Sequence, residues 1–217
     1  MSRSAYLDFT AAFIKVLLHT NLISIASGDL NDIVKTLACL PVLFRSSLEI
    51  VFNDADSIRT ARNIIILLVA LTVENLDEAI DVMFHLWYSS FITKAHFSIL
   101  QEQIRPLIQR HCDNIASEVP GKNIRKVFSF KSCSISVTLP KVFWEGLLSL
   151  FDLHPTLTTE EASLVRTAAF CLGHIDWEQR TYEELGPNSR VGWKRFQQDG
   201  ILLPFGASRD AFTIPNP

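Results

Sequence analysis

The stretch Leu22-Ile23-Ser24-Ile25-Ala26-Ser27-Gly28-Asp29-Leu30-Asn31-Asp32 decides the reading of the fold. Its first five residues are almost continuously apolar, which suits a short strand buried on both faces. Gly28 supplies a turn. Ile33 to Leu40 then reads as a helix that stops before Pro41, because a proline pushes the residue before it out of the helical region. A second apolar run, Leu48-Glu49-Ile50-Val51-Phe52, ends in Asn53-Asp54-Ala55-Asp56. Strand, tight turn, helix, strand and acidic end is the order in which a Rossmann-like nucleotide-binding unit begins. The two strands start about 26 residues apart, room for the right-handed crossover that joins parallel neighbours. Asp54 or Asp56 then caps a helix running to about Leu71, where an acid also suits the positive end of the helix.

Working outward, residues 4–18 are predicted helical, with Tyr6, Phe9, Phe13, Val16 and Leu17 at helical spacing. From Leu76 the chain turns helical for a long stretch, with Leu76, Ile80, Met83, Phe84, Trp87 and Phe91 forming one stripe. Phe97, Leu100, Ile104, Leu107, Ile108, Cys112 and Ile115 form another, which Pro106 kinks or splits. Between Ile124 and Leu139 apolar residues alternate with Ser and Lys, as in one or two strands, and Pro140 opens a helix through Phe151. Thr158-Thr159-Glu160-Glu161 is a capping box whose helix Gly173 closes. Short helices are expected over 177–185 and 189–198, and an irregular tail from Ile201.

The bulk numbers exclude several classes. With 217 residues, 48% of them hydrophobic, the chain can build a core and is not a disordered segment. A net charge of -3 gives no basic field for nucleic acid. Cys39, Cys112, Cys133 and Cys171 are far apart and form no zinc motif; they read as reduced and buried. The longest apolar run, Ile64 to Val73, has ten residues, about half a membrane span. The expected setting is cytoplasmic, with a protein partner and no nucleic acid, membrane or metal.

Ser24 to Leu30, Val34-Lys35-Thr36, Leu40-Pro41, Ile50 to Asp54, Ala61-Arg62-Asn63 and His85-Leu86-Trp87-Tyr88-Ser89-Ser90-Phe91 together resemble a fungal domain family of unknown function. The resemblance closes with Arg190, Phe196, Gly200 to Gly206 and Pro215-Asn216-Pro217. Members of that family are often linked to a MYND-type zinc finger and are similar to the N-terminal region of dynein axonemal assembly factor 3. The resemblance implies an α/β fold: a Rossmann-like open sheet of the S-adenosylmethionine methyltransferase kind, with a helical C-terminal part. Residues 1–217 are then a single methyltransferase-like domain carrying a helical insertion at 76–119. This chain departs from the family in having no zinc-finger cysteines. It also ends at Pro217 where relatives continue, as a fragment, a short gene model or a truncated paralogue would.

On that footing Ser27, Gly28, Asp29, Asn53, Asp54 and Asp56 are the candidate cofactor residues. A loop near the methionine and ribose wants glycine, and an acid ending the second strand bonds ribose hydroxyls. The competing structural reading has Asp29 and Asp54 as helix caps. Arg62 is either a buried partner of Asp54 or Asp56 or a support for the pocket. No Asn/Asp-Pro-Pro-aromatic segment is present, and Asn188 follows Pro187 in the wrong order. Asp81 and His85 form either a catalytic dyad or a local pair at i, i+4; the remaining histidines are assigned nothing. The tryptophans are expected as core or interhelical anchors. The expected function is a non-catalytic module that acts through protein contacts, in the assembly of other proteins, with no cofactor. The alternative is an S-adenosylmethionine-dependent methyltransferase of unknown substrate, and a third reading is a degraded paralogue with no selected activity.

Overall fold

A computed structural model describes residues 12–17, 22–25, 30, 33–34, 39–41, 49–54, 56–131, 133–152, 160–161, 182–204 and 206–216. The chain mixes helix and strand and divides into two compact units, one of residues 1–67 and 107–149, the other of residues 68–106 and 150–217.

The first unit is built on a five-stranded sheet in the order β2-β3-β1-β6-β5. Its strands are β1 (Ala12–Leu17), β2 (Leu22–Ile25), β3 (Glu49–Asp54), β5 (Asn123–Ser129) and β6 (Ser134–Pro140). The two strands expected around the glycine turn are present and parallel, in the register Leu22↔Glu49 to Ile25↔Phe52. They are the only parallel pair among the described strands. β1 runs antiparallel to both β3 and β6, and β5 runs antiparallel to β6. The strand β1 corrects the predicted helix over residues 12–17; the rest of that prediction, 4–11 and 18, lies outside the described residues. Ala12 to Leu17 holds three β-branched or aromatic residues, Phe13, Ile14 and Val16, which favour a sheet between two neighbours over a surface helix.

The β5–β6 hairpin follows the predicted alternation. Ile135, Val137 and Leu139 of β6 are buried, as is Phe128 of β5. Helix α5 (Lys141–Ser149) packs Trp144 onto this hairpin with no exposure at all. The indole N–H donates to Ile124 O at 3.2 Å, and the ring meets His111 edge-on at 4.4 Å. A buried indole needs such a partner, since an unmade bond costs more than a made one contributes. Cys112 is buried beneath it, Cys133 is half-buried and Cys39 is exposed; the last corrects the expectation that all are buried.

Helix α1 (Ser57–Thr72) follows β3 as predicted. Asn63 to Ile66, Leu68 and Val69 are all buried, so α1 is covered over most of its circumference, as a helix apolar on all sides must be.

The second unit holds α2 (Leu76–Tyr88), β4 (Phe91–Thr93), α3 (Lys94–Ile99), a π-helical turn (Leu100–Ile104), the start of α4 (Arg105–Asn114), α6 (Pro187–Asp199) and β7 (Phe212–Pro215). Two expectations change here. The long helical stretch from Leu76 is interrupted by β4, and the irregular tail carries β7, which pairs antiparallel with it. Pro106 does not split the helix. The turn before it widens, Arg105 N–H bonding Leu100 O, which makes room for a ring that would clash with the carbonyl four residues back. Gly200 closes α6 at φ 71°, where glycine carries no Cβ penalty. Among the described residues no helix is long and apolar enough to cross a membrane. The capping box and Gly173 lie largely or wholly outside the described residues.

Trp144→Ala is expected to destabilise the protein by about 3–5 kcal/mol, the cost of a large cavity. Val142→Ala, on the exposed side of the same helix, should stay within about 0.5 kcal/mol. Urea denaturation of both variants checks this; equal midpoints would contradict the assignment of Trp144 to the core.

Candidate functional site

Of the predicted cofactor residues, Ser27, Gly28 and Asp29 lie outside the described residues. Asn53 and Asp54 end β3, opposite Phe13 and Ala12 of β1. Asp54 and Asp56 come together and are both engaged. Asp54 Oδ1 accepts the N–H of Asp56 at 2.9 Å, a local turn. Asp56 Oδ1 accepts the N–H groups of Ile58 and Arg59 at 3.0 and 3.1 Å, capping α1. Arg59 then lies over both carboxylates, 3.5 Å from Asp54 Oδ2 and 3.4 Å from Asp56 Oδ2. One of the two readings of Arg62 made it the partner of these acids. Arg59 takes that place because it lies on the first turn, above the cap, whereas Arg62 is nearly one turn further along. The Nε of Arg62 is buried without a hydrogen-bond partner.

A second polar constellation lies in the other unit. Asp81, His85 and Ser89 follow one another at i, i+4 and i+8, one above the next along α2 and its end. Ser89 Oγ accepts the N–H of Leu202 at 3.1 Å and lies 2.8 Å from His85 Nδ1. The Asp81 carboxylate only accepts, so the tautomer that suits this setting carries its N–H on His85 Nε2, 3.5 Å from Asp81 Oδ1, with Nδ1 accepting from the Ser89 hydroxyl. His96, from α3, reaches Asp81 Oδ2 at 2.8 Å. The two imidazoles stack with centroids 5.4 Å apart, and Phe212 of β7 lies 4.7 Å from the His85 ring. Below them Asn216 donates its Nδ2 to the carbonyls of His85, Leu86 and Ser89, at 3.1, 3.1 and 2.6 Å. His85 O also takes the N–H of Ser89, the residue that ends the helix, while Leu86 O is among the carbonyls that a helix end leaves without an intrahelical partner.

The hydroxyl–imidazole–carboxylate order invites a nucleophilic reading, but the geometry opposes it. Ser89 is 5% exposed and its oxygen is already bonded to Leu202 and His85, so no substrate carbonyl can reach it. The cluster instead fastens the C-terminal segment to the end of α2. Burial, partly offset by Asp81 and reinforced by His96, holds the His85 pKa below the usual 6.5; burial and then Lys126 do the same for His111. Burial also pushes the Cys112 and Cys133 thiols up, as in unreactive structural cysteines. Among the described residues no group of three or more His, Cys, Asp or Glu could hold a metal ion.

The outer face of α2 is the third feature. Ala79, Val82, His85 and Leu86 are buried, while Leu76, Ile80 and Phe84 are 71%, 53% and 40% exposed. The sequence put these three in one stripe with Met83, Trp87 and Phe91; the structure leaves Leu76, Ile80 and Phe84 exposed and Met83 and Trp87 half-buried, and it buries Phe91. The pairing Asp81–His85 was legible from spacing alone, and Ser89, four residues further on, carried the same signal unread. His96 and Asn216 had none, because they meet α2 from 15 and 127–131 residues away.

A family model described as a domain of unknown function (DUF4470) matches residues 3–92. That supports the resemblance at the level of a domain-of-unknown-function family over this part of the chain. No curated protein and no solved structure matches the chain.

Asn216→Ala should cost about 1–3 kcal/mol by stranding buried carbonyls, and Asn216→Asp more, since it sets an anion against them. The histidines give a pH signature. Both are held below 6.5 in the fold, so below that pH the unfolded chain binds more protons than the native one. Stability is therefore full above about pH 6.5 and falls as the pH drops below it. Denaturation midpoints between pH 7.5 and 5, with His85→Gln flattening the slope, check both statements.

Proposed function

We propose that this protein is a module without catalytic activity that acts through contacts with other proteins. The observation that carries the reading is the fate of the acidic turn. An S-adenosylmethionine pocket needs a carboxylate free to take ribose hydroxyls. Here Asp54 is spent on Asp56 N–H and Arg59, and Asp56 on the first turn of α1. The apolar row on α2 supplies what a contact module needs instead, a hydrophobic surface open to a partner. A methyltransferase-like ancestry agrees with the parallel β2–β3 pair and its acidic end, and a cytoplasmic role in assembling protein complexes agrees with the resemblance to assembly-factor relatives. The same parallel pair favours the second reading, an S-adenosylmethionine-dependent methyltransferase, and one ligand decides between the two.

Titration calorimetry with S-adenosylmethionine is expected to give no heat and no thermal stabilisation at millimolar ligand, for wild type and Asp54→Ala alike. Micromolar binding to the wild type, lost in Asp54→Ala, would overturn the reading. The exposed row makes a separate statement. Ile80→Ser and Phe84→Ser should each leave the melting transition within about 0.5 kcal/mol of wild type, as surface changes do; losses above about 2 kcal/mol would show the row to be packed.

A further inference from the structure

We propose that the outer face of α2 binds a basic amphipathic segment of a partner protein, an element with apolar side chains along one face and lysine or arginine along its border. This rests on the contact-module reading and names the chemistry of its partner.

The face has two parallel rows. Leu76, Ile80 and Phe84 succeed one another at i, i+4 and i+8, and each is exposed. One position further round the helix run Asp77 and Asp81, at the same spacing and also exposed. Phe84 is three residues past Asp81, which makes the two neighbours on the helix surface. A carboxylate beside an aromatic side chain suits an ammonium or guanidinium group, which gains from both. Glu74 and Glu78 add exposed acids at the start of the helix. No lysine or arginine occurs anywhere from Asn63 to Thr93, and among the described residues Asp81 is paired with the imidazoles of His85 and His96 alone. Even so, the Asp81 side chain is 59% exposed.

Charge selects among the occupants an apolar face could have. A second copy of this chain would bring the same acid row against the first, an arrangement that like charges oppose. An anionic lipid surface attracts helices whose polar border is basic, the reverse of this one. A nucleic acid is repelled for the same reason. An amphipathic helix with a basic border meets both rows at once, through helix-face packing fixed by anchors at i, i+3 and i+4.

The test uses the full chain and a fluorescein-labelled amphipathic leucine–lysine helical peptide, with a second peptide in which every lysine is glutamate. Fluorescence anisotropy should show micromolar binding of the basic peptide and binding of the acidic one about tenfold weaker or more, a gap of about 1.4 kcal/mol. Ile80→Ser with Phe84→Ser should weaken the basic peptide about tenfold. Asp77→Asn should narrow the gap between the peptides and reduce the salt dependence, with an unchanged melting transition. Equal affinity for the two peptides, or no binding of either, overturns the proposed partner chemistry. Binding that survives Ile80→Ser with Phe84→Ser overturns this face as its site. Acidic-peptide binding that does require Ile80 and Phe84 leaves the contact-module reading intact while removing the basic partner, so the two failures are distinguishable.

Discussion

A strand inside a sheet must satisfy its backbone donors and acceptors on both edges, and Ala12–Leu17 is the strand on which this constraint falls. Its pairing with β3 on one side and β6 on the other is what joins the parallel β2–β3 pair to the C-terminal hairpin of the first unit. Unpaired backbone groups in such a position would each cost as much as a lost buried hydrogen bond. The pairing also sets direction. In a doubly wound parallel sheet the carboxyl ends of neighbouring strands gather at one edge and form the ligand crevice. Here β1 runs against β3, so the amino end of β1, at Ala12, lies beside Asp54. The acidic end of β3 therefore has a strand carboxyl end beside it on the β2 side alone. That limits what Asp54 can be part of, before its hydrogen bonds are considered.

Much of this unit was legible because its signals are local. A continuous apolar run bounded by a glycine turn, an alternating run between Ile124 and Leu139, and an aspartate before an apolar helix each declare themselves within about ten residues. β1 was not legible for the same physical reason that it matters. A short apolar run fits both a helix face and a doubly flanked strand, and only its two neighbours, one of them about 120 residues away in sequence, decide between these. β4 and β7 are three and four residues long and have no independent signal; they exist because each completes the other's hydrogen bonds.

The candidate sites divide along the same line. Asp54 and Asp56 were legible as acids at a strand end; that Arg59 lies over both was not, because its position follows from helix geometry rather than composition. In the second unit the spacing of Asp81 and His85 was visible. The buried cluster it belongs to was not, because His96, Leu202, Phe212 and Asn216 arrive from separate elements. Its low-dielectric setting is why it matters to stability. Fully bonded, such a network fixes the C-terminal segment in one place, and any unpaired member is costly. His96 Nδ1 and Asn216 Oδ1 are buried without partners, so the network works close to that limit.

Helix α2 joins these two arguments. A surface helix ordinarily shows one apolar stripe to its own core and a polar face to water. α2 carries an inner stripe of Ala79, Val82 and Leu86 and, on the other side, a second one of Leu76, Ile80 and Phe84. The inner stripe and the Asn75 cap, which takes the N–H groups of Asp77 and Glu78, already account for the helix forming and docking. Among the described residues nothing requires the outer stripe for the helix to form. Each large side chain there forgoes part of the about 1.5–3 kcal/mol that full burial gives, and a sequence shaped by folding alone would place Lys, Glu or Gln at positions 80 and 84, which are better helix formers than Ile or Phe. The acids beside the stripe keep it soluble, and Asp81 belongs to both faces, held from within by two imidazoles and open to solvent without. A cation drawn to the outer face would meet the same carboxylate that steadies the buried histidines, so whatever covers this helix is electrostatically linked to the fastening of the C-terminal segment beneath it.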